Sequence, residues 1–306
     1  MSREGGQRVT LADIIMDKLN EKQETMGSTS NDLNDKLASK LDPKIVEVYT
    51  KIGQLLTRYT SGKLPKAFKV IPSLSNWEEL VYLTQPETWS AQATRQATRL
   101  FASNLNSRMA QRFFSLILLP KIREDVRTNK KLNFHFYFSL KKALYKPAAF
   151  YKGILLPLCE SRDCTLREAT IIASILSRMS VPILHSSAAI LKISEMEYSG
   201  ASSIFLRVLL NKKYALPYRV VDAVVNHFQN FLNEDRNLPL LWHQSLLIFV
   251  QRYKTDLFSD QKDIIRSLVK KHNHYYFREE ILRELANSKH RGEDVSADQK
   301  LEMDMD

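Results

Sequence analysis

The stretch that decides the fold is Thr165-Leu166-Arg167-Glu168-Ala169-Thr170-Ile171-Ile172-Ala173-Ser174-Ile175-Leu176-Ser177-Arg178-Met179-Ser180-Val181-Pro182-Ile183-Leu184-His185-Ser186-Ser187-Ala188-Ala189-Ile190-Leu191. From Ala169 to Leu191 the only charge is Arg178, over a length that could cross a bilayer. Three features oppose a membrane span. Thr165 and Glu168 stand in the spacing of a capping box, which starts a helix in water. Six serines and threonines interrupt the apolar run, and Pro182 removes a backbone donor in its middle. The stretch therefore predicts two buried helices of a soluble protein, broken at Pro182. Apolar density as high as Ile171-Ile172-Ala173-Ser174-Ile175-Leu176 fits helices covered on several sides.

The same signals recur on either side. Asp42-Pro43 reads as a cap followed by a first-turn proline, and Ile45, Val48, Tyr49, Ile52, Leu55, Leu56 and Tyr59 follow at helical spacing, predicting one buried face that ends at Ser61-Gly62. Ser75-Asn76-Trp77-Glu78 has capping-box form, and Pro86, Pro120, Pro147, Pro182, Pro217 and Pro239 each precede an apolar stretch of helical period. Only 8 glycines and 10 prolines are present, and Asn-Gly, Asp-Gly and Gly-Asn are absent, so hairpin sheets lack their turns. Pro147, Pro182 and Pro217 are spaced as two helices and a turn would require, without a diagnostic repeat consensus. The predicted fold is all-α, an irregular helical-repeat stack of antiparallel helix pairs of HEAT or TPR type. Its expected divisions are a short N-terminal helix at 1–24 carrying Leu11, Ile14, Ile15 and Leu19, a flexible linker at 25–42, a repeat body at 43–290 and an acidic, disordered tail at 291–306.

The 306 residues hold 45 lysines and arginines against 34 acids, a formal charge of +11. Residues 291–306 contribute six acids and two bases, so the remainder is more basic still, and a polyanionic partner is expected. The first ten residues hold no apolar signal-peptide core.

Catalytic signatures are missing. Gly53 and Gly62-Lys63 stand too far apart for a P-loop, with Leu64 where a hydroxyl must meet magnesium, and neither G-x-G-x-x-G nor G-x-S-x-G occurs. Of 7 histidines none forms H-E-x-x-H; His272-Asn273-His274 reads as a polar turn between helices, not a metal site. His185 beside Ser186 and Ser187 lacks an orienting acid and an oxyanion hole, and reads as a buried, hydrogen-bonded histidine near a helix start. Cys159 and Cys164 suit a loop in a reducing compartment. No catalytic residue, metal, cofactor, small-molecule substrate or membrane is expected.

Three acid-free basic segments carry the functional expectation. The first has Arg58, Lys63, Lys66 and Lys69 with Tyr59 and Phe68; the second Lys141, Lys142, Lys146 and Lys152 with Tyr145, Phe150 and Tyr151; the third Arg207, Lys212, Lys213 and Arg219. Lysines neutralise phosphates and aromatic rings stack on unpaired bases, so these are the candidate RNA- or partner-binding residues.

In Ser61-Gly62-Lys63-Leu64-Pro65-Lys66-Ala67-Phe68-Lys69-Val70-Ile71-Pro72 the chain resembles the bystin family, and the likeness continues through Phe101-Ala102-Ser103-Asn104-Leu105, Leu132-Asn133-Phe134-His135, Leu184-His185-Ser186-Ser187-Ala188-Ala189 and Lys212-Lys213-Tyr214-Ala215-Leu216-Pro217-Tyr218-Arg219, over roughly residues 11–263. The resemblance implies an all-helical, non-enzymatic assembly factor of the small ribosomal subunit. Such a factor binds pre-rRNA, ribosomal proteins and other assembly factors in pre-40S particles and is required for rRNA processing and export. It resides in the nucleus and nucleolus and shuttles to the cytoplasm. Family members usually carry a longer charged region ahead of the stretch matching Leu11-Ala12-Asp13-Ile14, where ten residues stand here. The alternative from charge alone is a helical-repeat adaptor that binds only proteins.

Overall fold

The computed structural model describes residues 42–292; the short helix expected at 1–24, nearly all of the linker and most of the acidic tail lie outside them. The described residues form helices α1 Pro43–Thr57, α2 Lys66–Val70, α3 Trp77–Leu83, α4 Ala91–Asn104, α5 Ser107–Phe113, α6 Leu119–Asn129, α7 Phe134–Ala143, α8 Pro147–Phe150, α9 Leu156–Glu160, α10 Leu166–Arg178, α11 Ile183–Glu195, α12 Gly200–Leu210, α13 Tyr218–Gln229, α14 Leu240–Tyr253, α15 Ser259–Lys271 and α16 Tyr275–Ala286. No strand occurs among the described residues, and none of their helices is long and apolar enough to cross a membrane. They divide into two compact units, 42–109 with 133–142, and 110–132 with 143–292.

In the first unit Asp42 caps α1 as expected, its carboxylate accepting from the Lys44 N–H at 3.0 Å. Only the stripe Tyr49, Ile52, Gly53 and Leu56 is buried; Ile45, Val48 and Leu55 are exposed, so the buried face is narrower than its apolar spacing suggests. The helix stops at Thr57, four residues short of the expected end at Ser61, and Gly62 takes a left-handed turn at φ 103°. The Ser75 capping box does not form: α3 begins after Asn76 with no side-chain cap. At the centre, Phe68 meets Trp89 and Phe101 edge-on at 5.5 and 5.8 Å between ring centroids.

The second unit begins with two π-helical turns, Phe114–Leu118 and Tyr151–Leu155, where the N–H of Leu119 reaches the carbonyl of Phe114 and that of Leu156 reaches Tyr151. Each is followed by a proline, Pro120 and Pro157. Proline lacks an N–H and its ring strikes the carbonyl four residues back, so widening the preceding turn by one residue keeps the helix running. Pro120, expected to open a helix, is thus carried inside one. The two widened turns pack together, and a Cβ on Gly153 would stand 2.7 Å from the Gln111 carbonyl oxygen.

Beyond them the predicted helix pairs stack in two layers, α10, α12, α14 and α16 in one and α9, α11, α13 and α15 in the other. The capping box at Thr165 forms, with Glu168 accepting from the Thr165 N–H at 2.8 Å. Successive pairs are tied by polar contacts at nearly the same sequence separation: the Tyr151 and Ser186 hydroxyls at 3.1 Å, the Val181 N–H to the Tyr214 hydroxyl at 3.0 Å, and the His227 ring to the Ser194 carbonyl at 3.1 Å.

Candidate nucleic-acid interface

The Arg58–Lys69 segment shows how a short sequence points cations outward. Leu64, Phe68, Ile71 and Pro72 are buried and fasten the backbone to the first unit's aromatic core. Lys63, Lys66 and Lys69 recur every third residue, and together with Arg58 they are exposed and make no ion pair among the described residues. Tyr59 donates its hydroxyl to the Gly62 carbonyl at 2.6 Å, so this ring closes the turn. Phe68, read as a stacking candidate, is core.

The segment Lys141–Lys152 is divided. Lys141 and Lys142 end α7 in the first unit, half-buried, whereas Tyr145, Lys146 and Lys152 belong to the second. Tyr145 is 69% exposed and Lys152 is exposed; Phe150 and Tyr151 are core. Burial pushes the Tyr151 hydroxyl up to about 12.

The third segment separates into two roles. Arg207 donates to the Gln244 side chain at 2.5 Å, joining α12 to α14, and Lys212 donates to the carbonyls of Met179 at 2.5 Å and Ser177 at 3.5 Å, closing the C-terminal end of α10. Burial holds the Lys212 ammonium below its ordinary range. These two bases work inside the stack. Lys213, in the left-handed conformation at φ 58°, and Arg219 remain exposed.

One signal runs wider than any of these windows. From Thr88 to Cys159 the chain carries thirteen lysines and arginines against Glu124 and Asp125 alone, a balance of +11. Within the first unit this run supplies Arg95 and Arg99 on α4, exposed Arg108 on α5, and Lys141 and Lys142 on α7. The Arg95 guanidinium lies 4.5 Å from the Phe138 ring centroid and 5.8 Å from that of Phe134, which is 62% exposed. In the second unit Arg123 and Arg127 are instead held by Asp163, at 2.7 and 2.6 Å, and by Glu168. The Asp163 carboxyl sits down at about 2 against burial that would raise it, held there by hydrogen bonds from Arg123, Arg127 and Ser161 and by the Arg123 charge.

The histidines, serines and cysteines singled out in the sequence lie as follows. His185 is half-buried and its ring makes no hydrogen bond among the described residues, contrary to the buried, bonded histidine expected, and Ser186 is turned to Tyr151. His272 and His274 flank the α15–α16 turn as expected, His272 bonded to the Phe231 carbonyl at 2.9 Å and His274 accepting from the Tyr276 N–H at 3.3 Å. Among the described residues no group of three or more His, Cys, Asp or Glu side chains is placed to hold a metal. Burial pushes the Cys159 thiol up to about 12 and the Cys164 thiol up to about 11, both protonated at neutral pH.

Comparison with known proteins adds a family to this geometry. The Bystin family model matches residues 5–295. A bystin of Monosiga brevicollis is 58% identical over 295 residues, covering 96% of this chain and 70% of that protein. The Homo sapiens bystin is 58% identical over 288 residues, 94% and 66% respectively, and the Nematostella vectensis bystin 55% over 302 residues, 99% and 69%. The chain thus spans about two thirds of the length of these relatives.

Proposed function

The chain belongs to the bystin family, and from that premise we propose that it is a non-enzymatic assembly factor of the small ribosomal subunit, binding pre-rRNA directly and docking ribosomal and assembly proteins of the pre-40S particle. The observation that carries this reading is the arrangement of charge: an outward ladder of Lys63, Lys66 and Lys69 without carboxylate partners, and a run from Thr88 to Cys159 with thirteen bases against two acids. Exposed lysines without a carboxylate beside them, and a segment whose bases far outnumber its acids, favour a polyanion and its phosphates. A stack of helix pairs is a rigid scaffold whose extended surfaces suit several simultaneous contacts. In this role the protein holds a maturing region of the subunit against early folding or docking while rRNA is processed and the particle exported. The chain then resides in the nucleus and nucleolus and travels with pre-40S particles to the cytoplasm.

Sedimentation of a tagged chain through a gradient tests the reading. It should travel with small-subunit precursors and crosslink to their rRNA. Co-sedimentation without any rRNA crosslink, unchanged by salt, would replace it with a protein-only adaptor.

A further inference from the structure

We infer that Phe134 and Arg95 form a stacking platform for one unpaired nucleobase of RNA; the inference rests on the reading of the chain as an RNA-binding factor and names where a single strand is gripped. Of the 14 phenylalanines Phe134 is the most exposed at 62%, whereas two positions on Phe136 is buried. It opens α7 directly after Asn133, whose side chain accepts from the His135 N–H at 2.9 Å and fixes the helix start. Phe138 follows one turn later with its centroid 4.6 Å from that of Phe134. Arg95, from α4, lies over both rings and has no carboxylate partner among the described residues. A guanidinium stacked on rings keeps its in-plane N–H groups free to meet a phosphate oxygen.

Charge selects the occupant. α4 contains Arg95 and Arg99 and no acid, and α7 contains His135, Lys141, Lys142 and no acid. A ring open to solvent between two acid-free helices matches a ligand that alternates flat apolar faces with anions, which is the chemistry of a single-stranded nucleic acid. With one ring so exposed, the platform takes one base, and the phosphate beside it falls to Arg95.

The test uses the full chain and twelve-nucleotide single-stranded oligouridylate and oligoadenylate, read by fluorescence anisotropy across a salt series. Phe134→Leu keeps an apolar side chain but loses the ring; affinity for both strands should fall roughly tenfold, since base–aromatic stacking contributes that order. The slope of log affinity against log salt should stay as in the wild type, because no phosphate contact is removed. Phe134→Tyr should restore affinity, and Arg95→Gln should lower both affinity and slope. Thermal melting should be unchanged in each variant. Phe134→Leu binding as tightly as the wild type would overturn the platform while leaving the RNA reading intact, and so would loss of pre-ribosome association with RNA affinity unchanged, which would mark this surface as a protein contact. A wild-type chain that binds neither strand would overturn both readings.

Discussion

The triple replacement of Lys63, Lys66 and Lys69 by glutamine separates charge that faces a ligand from charge that holds the fold. All three side chains are exposed and make no ion pair among the described residues, while Leu64, Phe68 and Ile71 keep the segment anchored beneath them. Glutamine removes only charge, so stability should move by no more than about 0.5 kcal/mol. If each ammonium displaces a counterion from a single-stranded phosphate, each contributes roughly 0.7 to the salt slope, about 2 in all. Between 50 and 200 mM salt three such contacts account for roughly a 20-fold loss of affinity, which the variant should no longer show. Anisotropy titration at four or five salt concentrations measures this. Lys212→Gln is the matched comparison: its ammonium donates to the Met179 carbonyl at 2.5 Å, and losing that charged bond should cost about 1 to 3 kcal/mol and lower the melting temperature with the slope unaltered. A triple variant whose slope equals that of the wild type would refute the outward-ladder reasoning.

Three further outcomes follow from packing and titration. Gly153→Ala should destabilise by about 1 to 3 kcal/mol, since its Cβ would stand 2.7 Å from the Gln111 carbonyl oxygen and 3.2 Å from Phe114 Cβ; a melting curve equal to the wild type would contradict the close approach of the two π-turns. Glu168→Gln should cost about 1.5 to 3 kcal/mol in denaturant unfolding, because the buried carboxylate faces Arg123 at 3.3 Å while capping Thr165, and an unchanged midpoint would show the pair to be idle. Burial, then the charges of His274 and His272, hold His243 down at about 4, below its ordinary 6.5. The unfolded chain therefore binds the extra proton first, so this contribution to stability is complete above pH 6.5 and is lost as pH falls toward 4. Melting temperature should decline across that window, and His243→Gln should decline less steeply.

Much of the architecture was readable because caps and breakers act within one helical turn. Thr165 and Glu168 meet across three residues, Asp42 caps the helix it precedes, and Pro182 interrupts where its missing donor demands. What escaped depends on distant neighbours. A proline can open a helix or ride in one, and Pro120 and Pro157 ride because the widened turns before them pack together at Gly153. The Ser75 motif had the residues of a capping box, yet the chain entered α3 one residue later. Among the site candidates, the exposure of Lys63, Lys66 and Lys69 fits the acid-free window that singled them out, whereas Phe68 in the same window is core. The contacts of Arg207 and Lys212 were hidden, since Gln244 and Met179 lie more than thirty residues away in sequence. The contact of Arg95 with the Phe134 and Phe138 rings was hidden for the same reason, although the acid-poor run that holds all three was countable in the chain.

Net charge alone overstates the binding surface of such a stack, because helix ends consume cations. Lys262 is fully buried, its ammonium donating to the Ser288 and Lys289 carbonyls at 3.0 and 2.7 Å, and Lys254 meets Glu284 at 2.5 Å. From Glu160 to Gly292 nineteen bases face fourteen acids, whereas Thr88 to Cys159 leaves thirteen against two in little more than half that length. The helix pairs after α9 accordingly carry charge that is mostly matched, and they expose apolar side chains at helix starts, Leu184 at 79% and Leu240 at 51%. Protein partners suit that chemistry and phosphates do not. RNA crosslinks should therefore concentrate before Cys159, and protein crosslinks after it; rRNA adducts clustered instead around Lys213 and Arg219 would reverse this assignment of the two halves.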